Sequence, residues 1–366
     1  MKRALPIVAL AAVCIAMCAL PRPRSLAAPA GRTSRAEVLE TDDSGIQLHG
    51  LIEFGTQVLK VRLPDGSVKT AHNELRAQLE LDKKFKVGDT ALVILGDEPL
   101  IARDHWRGGW MAVLFGAFCV LLVAFGGWTG AKALFSFVFS CLAVWKLLIP
   151  MCLNGWNAEW TAFACVAVLT AVIMYLVAGW TRKGFAAFAG AMLGVAVSLL
   201  LADFFAAALH VNGASMPFVQ TLLYSGYHEL SIPDVFVGAI VLGSSGAVMD
   251  LAMDIAAGVG EVARHNPALP RIELFRSGVR IGRSVVGTMT TTLLLAYSGG
   301  YITLLMAFAA QGTPPADFLN STLVSAEVVK TLIGSFALVL VAPFTALVGA
   351  AVLAPRPSKA AERSES

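Results

Sequence analysis

The sequence predicts an α-helical polytopic membrane protein, with about seven spans after an N-terminal signal or anchor segment and a small exported β-barrel-like domain. Three observations lead there. The 366 residues are 57% hydrophobic and only 14% charged, with a mean hydropathy of +0.70, whereas a soluble domain of this size carries far more charged surface. Apolar runs near the ~20 residues that cross ~30 Å of hydrocarbon recur along the rest of the chain from about residue 110. The stretch before them differs in kind, with short extended segments separated by turns.

Met1-Lys2-Arg3, an apolar run to about Leu20 and the Ala-rich stretch to Ala30 follow signal-peptide grammar. Arg22 and Arg24 soon after the apolar run disfavour export, so residues 1–30 read equally as an uncleaved anchor helix. On either reading the next segment of the chain is exported. In residues 36–105, Leu51-Ile52-Glu53-Phe54 and Gln57–Leu63 read as extended, Pro64-Asp65-Gly66-Ser67 as a turn, and Val87–Leu95 as a further turn and strand. About five short strands in this length suggest a barrel of OB or SH3-like kind. No aromatic-plus-basic stacking face is visible, so nucleic acid is not an expected partner.

Residues 106–355 then form the helical bundle, with spans expected at 110–127, 132–151, 160–179, 185–208, 234–257, 286–309 and 326–353. Loops 126–132, 179–184 and 258–285 and the tail after 353 hold Lys132, Arg182, Lys183, Arg264, Arg271, Arg276, Arg280, Arg283, Arg356, Lys359 and Arg363. The opposite loops, 152–159, 209–233 and 310–325, hold no Lys or Arg. By the positive-inside rule the first set is cytoplasmic, including the tail 356–366, and residues 36–105 are extracytoplasmic. All seven tryptophans (106, 110, 128, 145, 156, 160 and 180) fall at or near expected span ends. The six cysteines lie in apolar segments or at a helix end, and no disulfide framework is expected.

Two spans are rich in small residues at intervals of four. The fourth carries Ala186, Gly190, Gly194, Ser198, Ala202 and Ala206; the sixth carries Ser284, Thr288, Thr292, Ala296 and Gly300. Such stripes suit close helix packing, with a solute path lined by backbone and hydroxyls as the other reading.

The fifth span carries acids. Gly243 and Gly246 precede Asp250, Asp254 and Glu261, and spacings of 4 and 7 set the three carboxylates within roughly 40° of one another on a helix. A charge at a bilayer centre costs about 2.5–3.5 kcal/mol even on insertion scales. Asp250 lies roughly 24 Å along the helix from Asp234, in the inner third of the expected span. One explanation is pairing with Arg264, Arg271, Arg280 or Arg283, which would clamp the inner loop to the bundle. The other is an inner gate or coupling site for a cation or proton, with Asp250, Asp254, Arg280 and Arg283 as its residues and Gly243, Gly246, Gly287, Thr288 and Thr292 lining the path or packing beside it. Glu261 reads as solvated. Pro267 and Pro270 break the helix after it, and the segment from Ile272 to Arg283 is basic and amphipathic, suited to anionic lipid headgroups at the inner surface.

A second charged layer, Lys146, Asp203, Asp234, Glu327 and Lys330, is expected near the outer surface, with Glu327 and Lys330 close enough to pair locally. Lys146 and Lys330 also read as snorkelling residues. Enzyme signals are lacking. His228-Glu229 has no second histidine four residues on, and there is no G-x-x-x-x-G-K-[ST] loop. His210 and His228 without further ligands give little support for a metal, and neither metal nor cofactor is expected.

Gly243-Ser-Ser-Gly-Ala-Val-Met-Asp250, Glu273-Leu-Phe-Arg-Ser-Gly278, Ile281-Gly-Arg283, Gly287-Thr-Met289 and Leu295-Ala-Tyr297 together resemble the YibE/F family of bacterial multi-span membrane proteins. Gly246, Asp250, Arg283, Gly287 and Thr288 match the family pattern, while Asp254 and Ser284 depart from it. The resemblance implies a bacterial plasma (inner) membrane location and an exported β-rich segment, and a permease-like role is associated with it. The expected function is thus a transporter or permease component for a small solute or ion. The alternative is a non-transporting scaffold or accessory subunit whose exported β-domain binds a partner. The small-residue stripes pack within one chain or between chains of a homo- or hetero-oligomer, and sequence does not choose.

Overall fold

A computed structural model describes residues 14–17, 31–79 and 81–354. The chain divides into two compact units between Phe125 and Gly126. Among the described residues the first contains six strands: β1 (Thr33–Asp42), β2 (Ile46–His49), β3 (Ile52–Arg62), β4 (Val68–Arg76), β5 (Thr90–Ile94) and β6 (Leu100–His105). The order β1-β5-β6-β4-β3 closes on itself through a β1–β3 pairing, and β2 adds to β3. Every ladder is antiparallel except β4 with β6. This five-strand closed ring has the Greek-key order of an OB-type barrel, one of the two barrels expected.

Strand alternation produces the ring. Ala36 and Val38, Leu59 and Val61, Ala71, Ala91 and Val93, and Leu100 and Ala102 turn into one core, while their neighbours face out. The turn between β3 and β4 uses Gly66 at φ +83°, and the Asp65 carboxylate accepts from the Ser67 N–H at 2.9 Å. Most polar groups inside are paired, Asn73 Oδ1 being an exception. Buried Gln57 accepts from the Phe85 N–H at 3.0 Å and from Asn73 Nδ2 at 3.1 Å, and donates to the Phe85 carbonyl at 2.9 Å.

Beyond the barrel the chain is helical. Helix α1 (Gly108–Ala143) continues through a π-helical turn (Val144–Leu148) into α2 (Ile149–Leu153). Then come α3 (Ala158–Ala178), α4 (Arg182–Ala208), the short α5 (Val219–Tyr224), α6 (Ile232–His265), α7 (Arg271–Gly300), α8 (Ile302–Ala310), α9 (Pro315–Asn320) and α10 (Thr322–Leu353). Caps fix several starts. Asn157 accepts from the Trp160 N–H, and Thr181 from the Gly184 N–H.

Helix α6 is central, packed by α3, α4, α7 and α10. Its Phe236, Ile240, Leu251 and Ile255 are fully buried. The small stripe of α4 lies inside this packing: Ala186, Gly190, Gly194, Ser198, Ala202 and Ala206 are all buried. Gly190 backs directly onto Thr345 of α10, and Ser198 shares a hydroxyl hydrogen bond with Ser244 of α6 at 3.3 Å.

Among the described residues, five helical stretches are long and apolar enough to cross a membrane, or six if the bent α7–α8 pair is one span, against the seven expected. Two local features account for the difference. The expected spans 110–127 and 132–151 run without a loop in a 46-residue stretch, interrupted by the non-helical backbone of Gly127. The expected span 286–309 breaks at Tyr301, where α8 leaves α7 at 64°. The expected inner loop 258–285 is also mostly helix, because α6 runs to His265 and α7 starts at Arg271. Its amphipathic part is therefore no separate surface helix. Leu274 is fully buried, and Gly278 and Gly282 pack against Ala346 and Ala342 of α10. Residues 14–17 are helical, and Cys14 and Met17 pack with Phe139, Ala143 and Leu148. The rest of the signal or anchor segment and the tail lie outside the described residues.

Candidate functional site

The site is assembled from α6 and α7. Ser231 caps α6, accepting from the Asp234 N–H at 3.5 Å, and the helix continues for 34 residues. Because it reaches His265, the three acids share one stripe. Gly243, Gly246, Asp250, Asp254 and Glu261 are all exposed, while Val248, Leu251, Ala252 and Ile255 between them are buried. Asp250 lies ~27 Å along the axis from Ile232 and ~23 Å from His265, at 1.5 Å per residue. It is thus close to the middle of α6 rather than towards an end, because α6 extends eight residues beyond the expected 257.

Helix α7 returns antiparallel to α6, and its glycines set the register. Gly258 faces Ile281, Gly282 faces Ile255, and Gly278 faces Val259. Further along, Gly243 faces the Tyr297 hydroxyl. Asp254 is therefore level with Arg283 and Ser284, and Asp250 with Gly287 and Thr288. Ser284, Gly287, Thr288, Thr291 and Thr292 are exposed on α7. Their hydroxyls donate to their own helix: Ser284 to the Ile281 carbonyl at 2.7 Å, Thr288 to Val285 at 2.9 Å and Thr292 to Thr288 at 3.0 Å. Oxygen lone pairs remain outward, so this face accepts hydrogen bonds or lines a polar path without a buried unpaired donor.

Of the expected pairings between acids and arginines, Glu261 with Arg264 forms, and those of Asp250 and Asp254 do not. Among the described residues, none of Asp250, Asp254, Arg271, Arg280 or Arg283 makes an ion pair. The reason is rotational. Gly278 and Gly282 fix one side of α7 on α10, and Ile281 fixes the next on α6. Arg283, two residues past Ile281, is then about 200° around the helix from it and points away from α6.

Glu261 is exposed, as expected, and is also the best connected of the three acids. It accepts from Lys183 of α4 at 2.9 Å and from Arg264 at 2.7 Å, joining two helices at one end of the bundle. Sequence reading missed this because Lys183 lies 78 residues away. It gave no role to Tyr297, quoted only within the Leu295-Ala-Tyr297 motif, whose hydroxyl is buried against Gly243 with no hydrogen-bond partner among the described residues.

The second charged layer is not one cluster. Glu327 and Lys330 pair within one turn of α10, both side chains about a quarter exposed. Lys146 belongs to the π-helical turn. Asp203 lines a cavity of about 380 Å³ with His210, Asn212 and Asp234, and Asp234 accepts from Asn157 Nδ2 at 2.8 Å. His228 is not among its lining residues, and no group of three potential metal ligands occurs among the described residues.

The α6–α7 hairpin also coincides with a match to known proteins. The family model described as YibE/F-like protein matches residues 114–355, which include every helix from α2 to α10 and most of α1. No curated protein matches the chain, and no solved structure does. With about two thirds of its length matched, the chain belongs to the YibE/F-like family.

Proposed function

We propose that the chain is an integral membrane protein of permease-like kind that moves a small solute or ion along the α6–α7 face. The observation that carries this reading is Asp250. It stands mid-helix in an apolar segment, without an ion pair among the described residues, between small residues and beside the Ser/Thr-rich face of α7. A carboxylate so placed is costly unless water or a cation reaches it. Asp254, Arg280 and Arg283 mark the arginine-rich end of the same face as the inner gate. Charge asymmetry of the loops orients that end to the cytoplasm of a bacterial inner membrane, with residues 36–105 outside and the arginines near anionic lipid headgroups. Large apolar side chains exposed on the helices, such as Leu200, Phe204, Leu332 and Leu347, suit a hydrocarbon surround.

The test uses the full chain in proteoliposomes, with a trapped pH-sensitive dye reporting proton flux and a panel of labelled small solutes reporting other cargo. Asp250→Asn is expected to lower the flux at least tenfold, while Leu332→Ala leaves it unchanged. Equal flux from Asp250→Asn and the parent chain sinks the reading. A bacterial phenotype that survives Asp250→Asn but is lost on deleting residues 36–105 favours the scaffold alternative.

A further inference from the structure

From Arg280 to Thr292 the outward face of α7 is polar, charged and, among the described residues, uncovered, and apolar Leu294 and Leu295 are exposed only beyond it. On α7, Gly278 and Gly282 face α10 and Ile281 faces α6. The remaining side presents Arg280, Arg283, Ser284, Gly287 and Thr291, all exposed. A Cβ on Gly287, or on Gly246 of α6, would meet nothing within 4 Å. A surface against lipid tails carries large apolar groups and excludes charge. Gly287 and Thr291 supply the reverse, a small surface that lets another helix approach closely.

The charges identify what covers it. Asp254 and Arg283 stand at the same level of the hairpin, opposite in sign, each without an ion pair among the described residues. They do not reach each other, because Arg283 is turned to the side of α7 opposite α6. A two-fold axis parallel to the helices, passing beside Gly287, preserves that level and reverses direction across the axis. The side of α7 that points away from its own α6 then points at the exposed side of the other copy's α6. Arg283 of each chain is brought to Asp254 of the other. This is the self-complementarity of an isologous interface, in which i meets j and j meets i.

We infer that the α6–α7 face is the interface between two copies of the chain, with Gly287 and Thr291 at the helix crossing and reciprocal Arg283–Asp254 pairs at its arginine-rich end. The inference rests on the membrane permease reading and sharpens it. The inner gate is built between subunits, and Asp250, one turn further in, is left facing a path lined by both copies.

The test is oxidative cross-linking of the full chain in native membranes, after replacing all six cysteines. Gly287→Cys is expected to give a band of twice the chain mass, while Leu332→Cys, exposed on α10, gives little. Adding Arg283→Asp is expected to reduce the Gly287→Cys dimer at least tenfold, and adding Asp254→Arg to that variant to restore it. Equal cross-linking at the two cysteine positions overturns the inference, as does a failure of the charge swap to restore the dimer. If native Cys119 is retained, a cross-link from it to Gly287→Cys within one chain assigns the face to α1 and also overturns it. Alkaline extraction separates the two readings. Release of the chain from membranes sinks the membrane reading itself, whereas a retained chain that does not cross-link sinks only the dimer.

Discussion

A Cβ placed on Gly282 would stand 2.7 Å from the Cβ of Ala342, so α7 and α10 touch almost backbone to backbone. Gly278 repeats the contact one turn earlier against Ala346, also at 2.7 Å. These two glycines fix the rotation of α7 and hence the direction of Arg283. Overpacking a site this tight costs about 1–3 kcal/mol. Gly282→Val is expected to lower the unfolding temperature of the detergent-solubilised chain, and Gly246→Ala, in open space, to leave it undiminished. Equal effects of the two would mean that the α7–α10 contact does not hold the bundle.

Glu261 offers a contrasting, exposed interaction. Its partners Lys183 and Arg264 retain 37% and 68% of their side-chain exposure. Glu261→Gln is therefore expected to leave the thermal unfolding temperature nearly unchanged. In 1 M salt, where the Debye length is ~3 Å, the difference should shrink further.

Gln57 tests the barrel. Gln57→Leu leaves the buried Phe85 N–H and one Asn73 amide contact without their acceptor. An unpaired buried group costs about 1–3 kcal/mol. Hydrogen exchange at the Phe85 amide of the full chain is expected to accelerate at least tenfold. An unchanged rate would show that the amide is protected by something other than Gln57.

The barrel also has a defined pH response. The Ser67 hydroxyl and then its N–H hold the Asp65 carboxyl below the ordinary carboxylate value, and the Ser44 N–H does the same for Asp42. A depressed folded pKa gives stability that is present above the unfolded value of about 4 and is lost as pH falls through the folded one. Lys84 has the opposite sign. The Glu53 hydrogen bond raises its pKa, so that contribution is full below about 10.4 and fades as pH rises through the folded value. Unfolding of the β-unit, followed by exchange in the full chain, should ease below pH 4 and again above pH 10. A response that is flat over pH 3–5 would remove the two aspartates from the account.

Sequence by itself determined the elements whose information is local. Extended segments at Leu51–Phe54, Gln57–Leu63 and Val87–Leu95 marked part of the barrel, the Pro64–Ser67 turn marked a hairpin, and helical spacing put Asp250, Asp254 and Glu261 on one stripe of α6. Local pattern also fixed the Glu327–Lys330 pair, because three residues of helix set both ends. Tertiary structure alone decided which small residues are packed and which are bare. Gly190 and Thr288 belong to stripes of the same period, yet one lies against Thr345 and the other faces outward. It also decided the partners of the charges. Lys183 reaches Glu261 across 78 residues, whereas Arg283, on a helix adjacent to Asp254, does not pair with it. The physical reason is rotation about a helix axis. Spacing in the chain sets which residues share a face, but only the contacts of Gly278, Ile281 and Gly282 set where that face points.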